Sequence, residues 1–165
     1  MFIRICNFFG KEYLAPVGIF QLFVNFIFQR LFRINSTVNT SVHFTSKIDG
    51  YKNIQTTKDV LFNFAVSGGC YFDIKEGSTL EIGEGTIWAW NCCIQTANHE
   101  LLNRKKYNVS SIKIGKNCWL GNSVTILPGV ELGDNVTVGA NSVVTKSFPS
   151  NVVIAGCPAK IIKNI

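Results

Sequence analysis

A chain of 165 residues, 47% hydrophobic and 16% charged, holds enough apolar material for one packed core and does not read as disordered. Its formal net charge is +6, but the basic residues are scattered without a run of five, which argues against a nucleic-acid partner. Six unevenly spaced cysteines without a C-x-x-C pair read neither as a disulfide scaffold nor as a zinc site, and they point to a reducing, cytoplasmic compartment.

The first residues lack a compact apolar run ending in small residues, so they do not read as a signal peptide. Residues 1–41 read instead as a helical appendage. Pro16 fits a helix start, where its missing N–H costs nothing. From there "APVGIFQLFVNFIFQRLFRIN" carries Gln21, Asn25, Gln29 and Arg33 at every fourth position. That spacing makes one narrow polar stripe on a helix, with Phe20, Phe23, Val24, Ile27, Phe28 and Leu31 covering the rest. The apolar runs are far shorter than the roughly 20 residues of a spanning helix, so the helix should lie against something. One surface is protein, on this chain or on a neighbouring subunit. The other is a membrane, touched peripherally at its inner face through residues 13–33, which aromatic residues and Arg4, Lys11, Arg30 and Arg33 favour over the lone Glu12.

Residues 42–165 follow a period of six. Ile114, Leu120, Ile126, Leu132, Val138 and Val144 recur without error, and Cys118, Val124, Val130, Val136 and Ser142 fall four positions after the first five. An earlier block repeats this at Ile82, Trp88 and Ile94, with Thr86 and Cys92, and a still earlier one runs Val42, Ile48, Ile54, Val60, Val66. Between those blocks the phase slips in "SGGCYFDIKEGSTLE", which predicts an extra turn or bulge. Gly115, Gly121, Gly133 and Gly139 directly follow aliphatic positions, where a backbone corner favours residues free of Cβ strain. Neither a helix nor a coiled coil recurs every six residues; a solenoid of short parallel strands does. Its aliphatic residues point inward and its small residues share the interior. Cys92 and Cys118 are then core fillers, and Cys93 has no neighbour to activate its thiol.

Ile94 to Ile114 spans 20 residues, which is not a whole number of sixes. A segment from about 100 to 113 should therefore leave the solenoid as a loop, directly after His99. An imidazole that titrates near neutrality suits a general base at such a place.

The run "IGKNCWLGNSVTILPGVELGDNVTVGANSVVTKSFPSNVVIAGCPAKIIKNI" resembles the C-terminal half of the hexapeptide-repeat acyltransferases, especially the maltose and galactoside O-acetyltransferases. "CWLGNSVTILPGV", "VGANSVVTK" and "AGCPAK" carry the likeness, which covers roughly residues 74–165. Residues 1–73 are more loosely similar to the family's first coils and to membrane-associated polysaccharide acetyltransferases. The resemblance implies a mainly β protein, a left-handed parallel β-helix with three hexapeptides to a coil. It further implies a homotrimer with an active site in each cleft between subunits. The acyl donor is then acetyl-CoA, with no metal, and the acceptor is a saccharide hydroxyl of polysaccharide biosynthesis.

On that likeness His99 matches the base that removes the hydroxyl proton during direct transfer, and Asn91 matches the asparagine facing the acceptor. Trp119 matches a tryptophan lining the cleft. The backbone around Asn122 and Ala140, with Gly139, meets the pantetheine arm. Thr145, Lys146, Lys160 and Lys163 approach the nucleotide end, with lysine at Lys160 and Lys163 where relatives often use arginine. Whether a carboxylate or a backbone carbonyl orients His99 is open, and so is the role of Glu100. Two other readings compete: N-acetylation of a nucleotide-linked amino sugar, and a noncatalytic scaffold anchored by its helix. A zinc carbonic anhydrase on the same solenoid needs three histidines, and this chain has only His43 and His99.

Overall fold

The computed structural model describes residues 11–165, so Arg4 lies outside the described part of the N-terminal segment. A 3-10 turn at Glu12–Val17 contains Pro16, and Gly18, at φ +86, separates it from helix α1 (Ile19–Arg30). The helix thus starts after the glycine rather than at the proline. Five coils follow. The first is β1 (Lys47–Asp49), β2 (Ile54–Thr56) and helix α2 (Leu61–Val66). The second is β3 (Tyr71–Asp73), β4 (Leu80–Ile82) and β5 (Ile87–Trp88). The third begins with β6 (Cys93–Gln95), everts as β7 (Ala97–His99) and β8 (Tyr107–Val109), and resumes with β9 (Ile112–Ile114) and β10 (Trp119–Leu120). The fourth is β11 (Thr125–Ile126), β12 (Glu131–Leu132) and β13 (Thr137–Val138). The last is β14 (Val143–Val144) and β15 (Val152–Gly156), against which β16 (Ala159–Asn164) turns back antiparallel.

Parallel pairing sorts the coils into three faces. Face 1 stacks β1, β3, β6, β11 and β14; face 2 stacks β2, β4, β9 and β12; face 3 stacks β5, β10, β13, β15 and β16. Leu120 lies opposite Val138, Ile126 opposite Val144 and Ile114 opposite Leu132, so a regular coil is 18 residues, or three hexapeptides. This register is why the sequence repeats every six residues. Ile82, Trp88, Ile94, Ile114, Leu120, Ile126, Leu132, Val138 and Val144 are all buried, as are Thr86, Cys92, Cys118, Val124, Val130, Val136 and Ser142 beside them. The polar members of the small set bind the corners. Thr86 Oγ1 donates to the Gly115 carbonyl at 2.7 Å and accepts from the Cys118 amide at 2.9 Å. Cys118 Sγ donates to the Gly133 carbonyl at 3.2 Å. Contact with Cys70 and then burial push the Cys92 thiol up, and burial does the same to Cys93 and Cys118, so none is an activated nucleophile.

The glycines after the aliphatic positions have a different cause from the one expected. None of Gly115, Gly121, Gly133 and Gly139 has a positive φ. A Cβ on Gly115 would instead lie 2.5 Å from the Gly133 backbone carbon, and one on Gly83 would lie 2.6 Å from that of Gly115. Close approach of successive coils selects glycine there. Corner strain falls on asparagines at all but one of the corners with a side chain: Asn91, Asn117, Asn135, Asn141 and Asn151 take φ of 53 to 63, a region asparagine tolerates better than other side-chain-bearing residues, and Ser123 takes 57.

The phase slip is the turn between β3 and β4, where Gly77 has φ +84 and Ser78 Oγ donates to the Lys75 carbonyl at 2.8 Å. The everted segment is shifted from its expected bounds. Ile112 and Ile114 are both buried in β9, so the chain re-enters before residue 112, and the hairpin occupies residues 97–110 rather than 100–113.

Helix α1 is turned the opposite way from an ordinary surface helix. Asn25 and Gln29 are its buried residues. Asn25 Nδ2 donates to Ser41 Oγ and to the Ala65 carbonyl, both at 3.1 Å, while its Oδ1 accepts from the Phe44 amide. Gln29 donates to the Thr40 carbonyl at 3.0 Å and accepts from the Val42 amide at 2.9 Å. The irregular chain that caps the solenoid has backbone groups without a ladder partner, and these two amides supply the partners. Val38 and Val42 belong to the same buried cluster as the strands.

Candidate active site

Face 1 ends, in the third coil, at the buried Thr96, whose carbonyl accepts from the Ser110 amide at 2.9 Å and so pinches the base of the hairpin. In the hairpin His99 lies opposite Tyr107, and their rings pack at 4.5 Å. His99 Nδ1 is bonded to the Arg104 backbone carbonyl. A carbonyl only accepts, so Nδ1 carries a proton, and in the neutral ring Nε2 keeps its lone pair. The orienting group is thus a backbone carbonyl, and neither Arg104 nor Tyr107 was legible in the repeat. Thr145 and Lys146 follow β14 on this same edge, both exposed, with Lys146 Nζ 5.7 Å from the centre of the Phe148 ring.

The opposite edge, between faces 3 and 1, is a column of left-handed corners at Gly69, Asn91, Ser123 and Asn141. Each rung hangs on the previous coil: Asn91 N–H on the Gly68 carbonyl, Ser123 N–H on Trp90, Asn141 N–H on Asn122, all at 2.9 Å. Asn91, Asn122 and Ala140 are therefore neighbours along one line. The corner geometry accounts for an asparagine at 91, whose amide lies over Gly69. Asn122 Nδ2 donates to the Trp90 carbonyl at 3.1 Å.

On face 3 an outward row runs in register through Ile87, Trp119, Thr137, Val153 and Lys163. On its side toward face 1 lie small residues, Ala89, Gly121, Gly139 and Ala155. A Cβ on Gly121 would meet the Ala140 amide at 2.7 Å, and one on Gly139 would meet Ala155 Cβ at 2.9 Å. Lys160 stands opposite Ala155. Trp119 thus flanks a path of small residues, Gly121, Gly139 and Ala155, with Lys160 and Lys163 of β16 at its foot.

The expected site residues fall into two groups. Asn91, Trp119, Asn122, Gly139, Ala140, Lys160 and Lys163 come together on face 3 and its edge with face 1. His99, Thr145 and Lys146 stand at the far ends of the face 1 strands. Asn91 and Thr96 flank β6 and stand five residues apart, a run of about 16 Å at roughly 3.3 Å per residue.

Sequence reasoning also missed Trp90, which is half-exposed at the head of the path and meets the buried His43 edge-on at 4.9 Å. His43 Nδ1 accepts from the Thr45 amide at 3.3 Å and lies 2.8 Å from Thr45 Oγ1, which also takes the Gly69 amide. Burial lowers the His43 imidazole from its ordinary 6.5. The unfolded chain then binds a proton at a pH where the folded chain does not, so unfolding takes up a proton and stability falls as pH drops below about 6.5. The thermal midpoint should decline between pH 7 and 5, and His43→Gln should flatten that decline. An unchanged slope in the variant would refute this assignment.

Residues 111–146 match the bacterial transferase hexapeptide family, six repeats, and the chain belongs to that family of left-handed β-helix acetyltransferases. It is 34% identical over 144 residues to WbbJ of Escherichia coli K12, named for O-acetyl transfer in lipopolysaccharide biosynthesis, over 79% of this chain and 74% of that one. It is 36% identical to the galactoside O-acetyltransferase of Escherichia coli K12, over 68% of this chain, and it spans only 55% of that relative's length. A solved galactoside acetyltransferase in complex with coenzyme A is 25% identical, with 93% of this chain and 83% of that one covered and a TM-score of 0.55. Among the described residues no three His, Cys, Asp or Glu side chains form a metal-binding group.

Proposed function

We propose that the protein moves acetyl from acetyl-CoA to a hydroxyl of a saccharide or glycoconjugate, by direct transfer, in clefts between the subunits of a homotrimer. The observation that carries this reading is the division of the site. A histidine with a free Nε2 stands on one edge of face 1 and a small-residue path with a cationic foot on the other, so the hairpin of one copy serves the path of the next. Both curated relatives are named for O-acetyl transfer, which supports a hydroxyl over an amine as acceptor.

In the reaction His99 Nε2 takes the acceptor's hydroxyl proton as that oxygen attacks the thioester carbonyl. The Arg104 carbonyl, already bonded to Nδ1–H, stabilises the imidazolium that forms, and the Tyr107 ring holds its plane. Collapse of the tetrahedral adduct breaks the C–S bond, leaves a C–O bond, and returns the proton from Nε2 to the departing thiolate. Asn91, at the head of the path, offers its amide to the acceptor hydroxyl. The backbone at Asn122, Gly139 and Ala140 receives the pantetheine arm beside Trp119. Lys160 and Lys163 at the foot meet the CoA phosphates, and Thr145 and Lys146 of the adjoining subunit close the nucleotide end.

Calorimetric titration with acetyl-CoA tests this without knowledge of the acceptor. Saturable binding is expected, weakened about tenfold or more by Lys146→Glu through loss of a charged contact. No binding at millimolar ligand by folded protein would end the acetyltransferase reading and favour a noncatalytic scaffold.

A further inference from the structure

The polar residues Asn25 and Gln29 of α1 are consumed inside the molecule, so its apolar arc is left without a partner among the described residues. Ile19, Phe23, Phe26 and Arg30 follow at steps of four, three and four and form one line along the helix. Phe20 lies beside that line, and Leu31 and Phe32 extend the apolar surface beyond the helix end. The six apolar side chains are 59 to 76% exposed. Solvent-facing helices of globular proteins carry the reverse pattern. The charge flanking this surface is net positive: Lys11, Arg30 and Arg33 are exposed, and Glu12 is the lone acidic residue between positions 11 and 48. No helix among the described residues is long and apolar enough to cross a membrane.

We propose that α1, with Leu31 and Phe32, lies in the interface of an anionic membrane. The phenylalanines enter the acyl boundary, while Lys11, Arg30 and Arg33 reach the lipid phosphates. Charge decides against a second copy as occupant. Two copies of this face bring only basic side chains to the rim of their joint apolar surface, whereas anionic headgroups complement them. In a cyclic trimer the three helices lie at one height along the axis, and a single membrane plane meets all three with a gain in avidity.

Flotation of the full-length protein with phosphatidylcholine vesicles, with and without phosphatidylglycerol, tests this attachment. Flotation is expected with the anionic vesicles alone and should weaken in high salt. Phe23→Ser combined with Phe26→Ser should reduce partitioning at least about tenfold, because both side chains face outward. That variant should keep the oligomeric mass and the acetyl-CoA affinity of the parent. Absence of flotation by the parent, or equal flotation by the variant, overturns the attachment. A change in oligomeric mass in the variant, without vesicle binding by the parent, would make the face an interface between copies. Absence of acetyl-CoA binding by the parent, with its flotation intact, would sink the catalytic reading alone.

Discussion

Replacing His99 by alanine is expected to lower kcat/KM for acetyl transfer by about 10² to 10⁴, the usual worth of a positioned base, with acetyl-CoA affinity unchanged within about twofold. The separation follows from place. His99 sits on an everted hairpin, its Nδ1 committed to the Arg104 carbonyl and its Nε2 free, and the Trp119 path lies on another face. A variant that retained its rate within about threefold would remove His99 from the mechanism. Complementation tests the division of the site directly. Gly139→Val should block the path, because a Cβ there already meets Ala155 Cβ at 2.9 Å. If the base and the path come from different copies, mixing inactive His99→Ala with inactive Gly139→Val should restore about a quarter of the clefts by random assortment. Mixed trimers with no activity would place both halves of the site in one chain.

Gly115→Val is expected to destabilise the protein by roughly 3 kcal/mol or more, or to abolish folding. A Cβ at Gly115 would stand 2.5 Å from the backbone of Gly133, and Gly83 presses on Gly115 from the coil above. Backbone on both sides cannot yield as a flexible side chain would. Gly77→Asn is the contrast, since nothing lies within 4 Å of a Cβ there and asparagine tolerates its φ of +84. That change should cost about 1 kcal/mol or less. Urea unfolding of both variants decides the matter, and a Gly115→Val midpoint equal to that of Gly77→Asn would refute the stacking account.

The everted hairpin shows how far counting goes. The step of 20 from Ile94 to Ile114 announced that something leaves the solenoid, but either end of face 1 or face 2 could have absorbed the surplus. Only the pairing of Ile112 with Leu80 and of Ile94 with Ile126 sets the bounds at 97–110. His99 consequently lies within the hairpin rather than ahead of it. The corner asparagines were in plain view along the chain, yet their left-handed φ came to light only with the backbone, and it offers a reason for Asn91 that is independent of any substrate.

The linear pattern determined the solenoid itself, because a three-faced coil returns an inward position every six residues, and water excludes polar side chains from all but the bonded ones among them. It also determined that α1 has one polar stripe and a wide apolar remainder, since helical spacing is local. Which side faces the body was decided by the tertiary structure. The capping chain at residues 40–44 and the Ala65 carbonyl of α2 need partners, and Asn25 and Gln29 supply them at 2.9 to 3.1 Å. Buried backbone groups demand partners more strongly than exposed phenylalanines demand cover within one chain, so the helix turned its polar stripe inward.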